Sequence, residues 1–281
     1  MLVRLFDCPV STLVCGALLS CVVFLLLASL AANVLALTYD LYDVPWISGL
    51  IRMVNVNKEI NVPTWFSSSL LTGAGVLALL TAALSAKRGV PWRFHWLNIG
   101  LMFLLLSLDE FASFHEMTAG WVRRILGVGG WLFYAWVVPG AAIVLLLSAI
   151  YLRFVLALPH GVRGWVVASA GIFLAGALGM EMIGGLLRER AGSEADLAFV
   201  LAFTVEEGLE MAGASLFIFS ILRYVELTFP LRIMPSQTKP GPCVVVPPEK
   251  RTAGPGGRPV SPTVPPERQR QAGAGTGEGL V

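Results

Sequence analysis

The chain has 281 residues, of which 56% are hydrophobic and 14% are charged. Soluble domains carry about 25% charged residues, so this composition excludes an ordinary soluble protein and indicates an integral membrane protein. The formal net charge of +2 is small and the basic residues are dispersed, which argues against a nucleic-acid partner. We therefore expect a multi-pass protein of the cell membrane in contact with the lipid bilayer, either as a monomer or as a homo-oligomer.

Six apolar segments are long enough to cross a bilayer, because a helix rises about 1.5 Å per residue and the hydrocarbon is roughly 30 Å thick. The predicted spans are residues 11–37, 67–86, 94–115, 131–152, 162–187 and 197–222. Together they predict an all-α fold, a polytopic membrane bundle of six transmembrane helices within residues 1–234.

Lysine and arginine residues predict the orientation of this bundle. A cytoplasmic amino terminus would put fourteen of the 20 basic residues on the cytoplasmic side and six on the other. Basic residues accumulate in cytoplasmic loops, so we expect both termini in the cytoplasm. The bias is modest close to the spans, because much of it comes from the carboxyl-terminal tail.

The tail, residues 235–281, has a different composition from the rest of the chain. It contains ten prolines and eight glycines and no aromatic residue. Such a segment cannot bury enough apolar surface to offset the entropy of ordering it, so we predict a disordered cytoplasmic tail.

The first loop, residues 38–66, is long for a connection between helices. It mixes Trp46 and Trp65 with the acidic residues Asp40, Asp43 and Glu59. This composition is typical of a segment that lies at the membrane interface or folds back over the bundle. Both alternatives stay open from the sequence.

Acidic residues within the apolar segments are the main indication of function. An ionised carboxylate at a bilayer centre costs roughly 2.5–3.5 kcal/mol, so several of them must face one another, a cation or water. The candidate site residues lie in or at the ends of the spans: Asp109, Glu110, His115, Glu116, Glu181, Glu206, Glu207 and Glu210.

The depth of these residues predicts a single site. With alternating span directions, the third and fifth spans end on the face where the sixth begins. Asp109, Glu181 and Glu206 then lie at depths of roughly 9, 9 and 13 Å below that face. The predicted orientation makes this the outer face.

Carboxylates gathered in a low dielectric either share protons or bind a cation. Hard oxygen ligands with one imidazole suit Mn, Fe, Mg or Ca, and His115 is the only histidine near this face. On a continuous third helix, Asp109, Ser113 and Glu116 would form one polar stripe. Glu110 and His115 are five residues apart and could bind one ion only if the helix unwinds near its end.

Three motifs resemble a group of uncharacterised bacterial multi-span membrane proteins. They are NVPTWFSS at 61–68, LSLDE at 106–110 with HE at 115–116, and VEEGLE at 205–210. The resemblance covers roughly residues 38–222. The group has no established activity, so the resemblance supports the motifs as a set and implies no reaction.

Three classes of function remain open from the sequence. A divalent-metal-dependent membrane enzyme explains the acids, His115 and a site that opens to one surface. A proton- or cation-coupled transporter explains intramembrane acids as well. In a non-catalytic subunit or scaffold, neutral carboxyl groups would only connect helices by hydrogen bonds. No motif identifies a substrate.

Overall fold

A computed structural model of the chain describes residues 4–5, 8–191 and 196–229. Apart from a short antiparallel pair of strands, β1 (Arg4–Leu5) and β2 (Cys8–Pro9), the regular structure of these residues is helical. The prediction of an all-α fold is therefore confirmed. The predicted disordered tail, residues 235–281, lies outside the described residues.

The helices are α1 (Val10–Tyr39), α2 (Pro45–Val54), α3 (Val62–Arg88), α4 (Arg93–Ala112), α5 (Phe114–Leu126), α6 (Val137–Ala157), α7 (His160–Leu174), α8 (Glu181–Ala191) and α9 (Leu197–Thr228). A π-helical segment, Ala175–Met180, joins α7 to α8. Short 3-10 turns lie at Leu41–Asp43 and Gly130–Leu132.

Six helical segments of the described part are long and apolar enough to cross a membrane. They are α1, α3, α4, α6, the continuous segment His160–Arg190 and α9. The prediction of six transmembrane helices is therefore confirmed, and the protein is a helical membrane protein.

Helix α9 lies at the centre of the packing and contacts α1, α3, α7 and the π-helical segment. Its buried residues include Met211, Ile218 and Ile221. Hydrocarbon tails are as apolar as these side chains, so close packing of small residues contributes to helix association in a membrane. A Cβ atom added at Gly213 would lie 2.7 Å from the Phe173 backbone nitrogen, which shows how closely α7 and α9 approach.

The first loop folds against the bundle through amide side chains. The Oδ1 atom of Asn33 on α1 accepts hydrogen bonds from Tyr42 and Asn55, each at 3.0 Å. Asn61 donates to the Asn55 carbonyl and accepts from the Thr64 amide at 3.0 Å, which caps the start of α3. These contacts hold the end of the loop, including Glu59, above the start of α3.

The first half of the loop contains an amphipathic helix, α2. Helix α2 buries Ile51 and exposes Trp46 and Leu50. An exposed apolar face beside membrane-spanning helices is typical of a segment that lies at the membrane interface. The loop thus combines an amphipathic helix with a segment folded against the bundle.

Candidate functional site

The predicted site residues lie at one end of the bundle, where α4 and α8 end and α9 begins. Helix directions alternate, so these three helix ends share one side. Helix α9 carries the deepest acids, since Glu206 and Glu210 lie about 14 and 20 Å along it from Leu197. The remaining members are Asp109 and Glu110 on α4, His115 and Glu116 on α5, and Glu181 at the start of α8.

The third predicted span is not one continuous helix, which corrects the expected stripe of Asp109, Ser113 and Glu116. Helix α4 ends at Ala112, and Ser113 adopts a left-handed backbone conformation with φ of 52°. A non-glycine residue rarely adopts this conformation. The break redirects α5, so Glu116 is exposed at the rim instead of following Asp109 along a helix face.

The break brings His115 back onto Asp109. The His115 backbone N–H donates to Asp109 Oδ1 at 3.1 Å, and His115 Nδ1 lies 2.8 Å from Asp109 Oδ2. The carboxylate therefore caps the start of α5 and orients the imidazole at the same time. With Nδ1 engaged, Nε2 is the ring nitrogen available for a ligand or for proton transfer.

The surroundings of His115 favour its charged form. Burial lowers the pKa of the imidazole, but the hydrogen bond and charge of Asp109, with the charges of Glu181 and Glu116, outweigh burial and raise the pKa to about 9. The imidazole ring also lies 5.0 Å from the Trp136 ring, centroid to centroid. His115 is thus held between a carboxylate and an indole.

Trp136 lies between His115 and a second acidic residue, Glu181. Its Nε1–H donates to Glu181 Oε1 at 3.0 Å. Glu181 is 9% exposed, and its side chain lies beside that of Glu206. The two acidic side chains therefore lie close to each other inside the bundle.

The π-helical segment lets Glu181 and Glu206 approach each other. A Cβ atom added at Gly176 would lie 2.8 Å from the Glu206 carbonyl oxygen and 2.9 Å from Glu210 Cγ. Only glycine fits this close approach of α9. Single π turns within α-helices are frequent at functional sites, and this one directly precedes Glu181.

The other acids of α9 face α4. Glu207 lies within electrostatic range of Glu110, Glu210 and Glu59, and Glu210 lies within range of Glu110, Glu181 and His115. The Glu110 side chain also lies close to Ser67 on α3. The acids Glu206, Glu207 and Glu210 are partly exposed although they lie deep along α9, so their side chains border space within the bundle.

Glu59 joins this cluster although the sequence analysis did not include it among the site residues. Burial raises the pKa of its carboxyl group, and the charges of Glu110 and Glu116 raise it further, whereas Ser113 and His115 lower it. Its Oε2 atom is buried and has no hydrogen-bond partner among the described residues. In the sequence, the only indication that Glu59 lies near the site was its position two residues before Asn61, which caps α3.

Tyr134 is a second residue that the sequence analysis missed. Burial raises the pKa of its phenol, as do the charges of Glu181 and Glu116, while Arg188 lowers it. The phenol therefore stays protonated beside the acids. No spacing rule points to Tyr134, because it lies in the irregular segment before α6.

The acidic side chains of the described residues are not arranged around one common metal position. Among the described residues, no group of three or more His, Cys, Asp or Glu side chains is arranged to hold a metal ion. Two cavities of about 790 and 400 Å³ are lined by other residues, the larger between α2, α3 and Phe111, and the smaller between α3 and α4. The cluster is a set of neighbouring carboxyl groups around His115.

These features define a helical membrane protein with a cluster of acidic side chains at one end of the bundle. A domain of unknown function, DUF8692, matches residues 17–225, and the chain belongs to this family. The match spans α2 to α8 in full and includes the eight predicted site residues. No curated protein and no solved structure matches the chain.

Proposed function

We propose that the acidic cluster binds a divalent cation and that the protein is a divalent-cation-dependent membrane enzyme. The observation that carries this proposal is the buried, unpartnered Oε2 atom of Glu59 beside Glu110 and Glu207. A buried carboxylate oxygen without a partner is costly, and a cation would satisfy it together with its acidic neighbours.

The proposed ligands are the acids that face one another between α4, α9 and the first loop, namely Glu59, Glu110, Glu207 and Glu210. Oxygen ligands of this kind suit Mn²⁺, Fe²⁺, Mg²⁺ or Ca²⁺. Asp109 orients the His115 ring, as carboxylates commonly do for imidazoles that bind metals. His115 would transfer a proton to the substrate in its charged form, or would complete the site as a ligand after losing that proton.

Glu181 and Glu206 would act as the proton store of the site. Carboxylates must lose their protons to bind a metal, so binding a cation releases protons. Glu206 lies within electrostatic range of Glu181, Glu210 and Glu207, so this pair would take up protons that cation binding releases. Glu116, exposed at the rim, would contribute electrostatically.

The other half of the bundle favours an enzyme over a transporter. Beyond the acids, the core around α9 consists of buried apolar side chains, including Trp96, Phe154, Phe217 and Ile221. The buried hydroxyl groups in this half are uncharged, and those of Ser215 and Ser220 on α9 already bond to carbonyls of their own helix. A site that opens at one end only suits catalysis at the membrane surface, which would be the outer one if both termini are cytoplasmic.

A proton- or cation-coupled transporter is the second candidate. The neighbouring acids Glu181 and Glu206 favour it specifically, because acids inside membrane segments often carry protons. This function requires the apolar half of the core to open, and a non-catalytic scaffold requires neither cation nor opening.

Elemental analysis of the purified full chain tests the proposal. We expect a stoichiometric divalent metal in the parent protein and its loss from the double variant Glu207→Gln, Glu210→Gln. The control is Glu189→Gln, which changes an acid at the same end that bonds to the Gly130 amide instead of to the cluster. The control should retain the metal.

The three functions predict different results from these proteins. Proton-coupled flux in proteoliposomes without bound metal would support the transporter instead. A double variant that is as stable as the parent, with neither metal nor flux in the parent, would leave only the scaffold. Metal in all three proteins would show that the ion binds elsewhere.

A further inference from the structure

A small cavity lies at the end of the bundle opposite the acids. It has a volume of about 400 Å³ and lies between the end of α3 and the start of α4. Its lining includes Ser85 and Val90 from the α3 side and Trp92, Arg93 and His95 from the α4 side. The cavity shares no residue with the acidic cluster, so it is a separate feature of the protein.

Ser85 has an unsatisfied hydroxyl group in this cavity. The residue is 0% exposed, and its Oγ atom has no hydrogen-bond partner among the described residues. Hydroxyl groups in helices usually bond to the carbonyl four residues earlier, as Thr81 does to Leu77 at 2.8 Å. The Ser85 hydroxyl therefore needs a partner from within the cavity that it lines.

The start of α4 offers donors to the same cavity. Trp92 precedes the helix in a left-handed conformation with φ of 73° and provides no side-chain cap. Its ring is held 4.9 Å from the His95 ring and 5.9 Å from the Phe154 ring, centroid to centroid. The first amides of a helix lack intrahelical partners and carry positive partial charge, so they favour an anion.

Arg93 adds a full positive charge. Its Cζ atom lies 4.7 Å above the centre of the Phe94 ring, which keeps the guanidinium group close to the helix start. Guanidinium groups recognise phosphate through paired hydrogen bonds. A hydroxyl group, helix amides and an arginine thus surround one cavity.

We propose that this cavity binds a phosphate group through the Ser85 hydroxyl, the first amides of α4 and the Arg93 side chain. The phosphate belongs either to a lipid headgroup or to a free phosphate ion. The cavity lies where one membrane-spanning helix, α3, ends and the next, α4, begins, and Trp92 and Phe94 supply apolar walls.

The test uses the full chain in nanodiscs of phosphatidylcholine with a small fraction of phosphatidic acid. Native mass spectrometry counts the phosphatidic acid that each protein retains. We expect preferential retention by the parent and roughly tenfold weaker retention by Arg93→Gln, since a charge-assisted hydrogen-bonded pair is lost. Ser85→Ala should retain several-fold less than the parent.

Arg88→Gln is the matched control, because it removes the same charge from the same connection at a residue that does not line the cavity. It should retain phosphatidic acid as the parent does. Equal losses in Arg88→Gln and Arg93→Gln would overturn the proposal in favour of diffuse attraction by surface charge. Unchanged binding by Ser85→Ala would also overturn it.

A titration with inorganic phosphate in pure phosphatidylcholine nanodiscs separates the two sources. If phosphate binds alone and displaces phosphatidic acid, with the same variant pattern, the cavity accepts the free ion. If phosphatidic acid is retained and phosphate does not bind, the ligand is the lipid headgroup. Parent protein that binds neither would refute the site.

Discussion

Trp136 connects the surface part of the site to its buried part. It donates a hydrogen bond to Glu181 while its ring faces His115. The indole therefore stabilises a carboxyl group that has little access to water. The hydrogen bond depends on one N–H group, so a substitution that keeps an aromatic ring can remove it.

We predict that Trp136→Phe destabilises the protein by about 1–3 kcal/mol, because a buried acceptor loses its donor. Thermal unfolding in detergent measures the change. Trp131→Phe is the control, since that ring is largely exposed and should tolerate the change. Equal stability of the two variants would show that the bond to Glu181 contributes nothing.

For single residues, the sequence predicted that the acids lie at one end of the bundle but not which partners they have. Asp109 and His115 are close in the chain, and their contact depends on the left-handed Ser113, which hydropathy does not reveal. Glu59 was missed because it lies outside the apolar spans. Its approach to Glu110 depends on the amide network that folds the first loop against the bundle.

The π-helical segment is the element that sets the position of Glu181. The apolar pattern predicts one α-helix over residues 162–187. In the structure, the wider π-helical turn at Ala175–Met180 rotates the residues that follow it around the helix axis. A run of small residues is compatible with either geometry. The sequence therefore predicted the span but not the direction in which Glu181 faces.

Two glycines of this segment provide a matched test of its packing. We predict that Gly176→Ala costs about 1–3 kcal/mol of stability and weakens cation binding, because the added methyl group meets the backbone of α9. Gly179→Ala should be tolerated, since nothing lies within 4 Å of its added Cβ atom. Thermal unfolding and metal content measure both effects. If the two variants behave alike, the close approach is not required.

At the scale of the whole molecule, hydropathy predicted six membrane-spanning helices, and alternating directions predicted that the acids share one end. Both inferences need only the length of each span and the order of spans along the chain. The packing around α9 was not predictable in this way. This packing depends on how the side chains of α9 fit against those of α1, α3 and α7. A single sequence shows no repeating pattern from which that fit could be read.

Electron paramagnetic resonance of the full chain loaded with Mn²⁺ and then freed of excess ion tests the central claim most directly. The claim is that carboxylates from α4, α9 and the first loop bind one divalent cation beside His115. We predict a stoichiometric, protein-bound Mn²⁺ signal that disappears in the double variant Glu207→Gln, Glu210→Gln, because two of the proposed oxygen ligands are lost. A spectrum of the hydrated ion alone, with all Mn²⁺ removed by desalting, would contradict the claim.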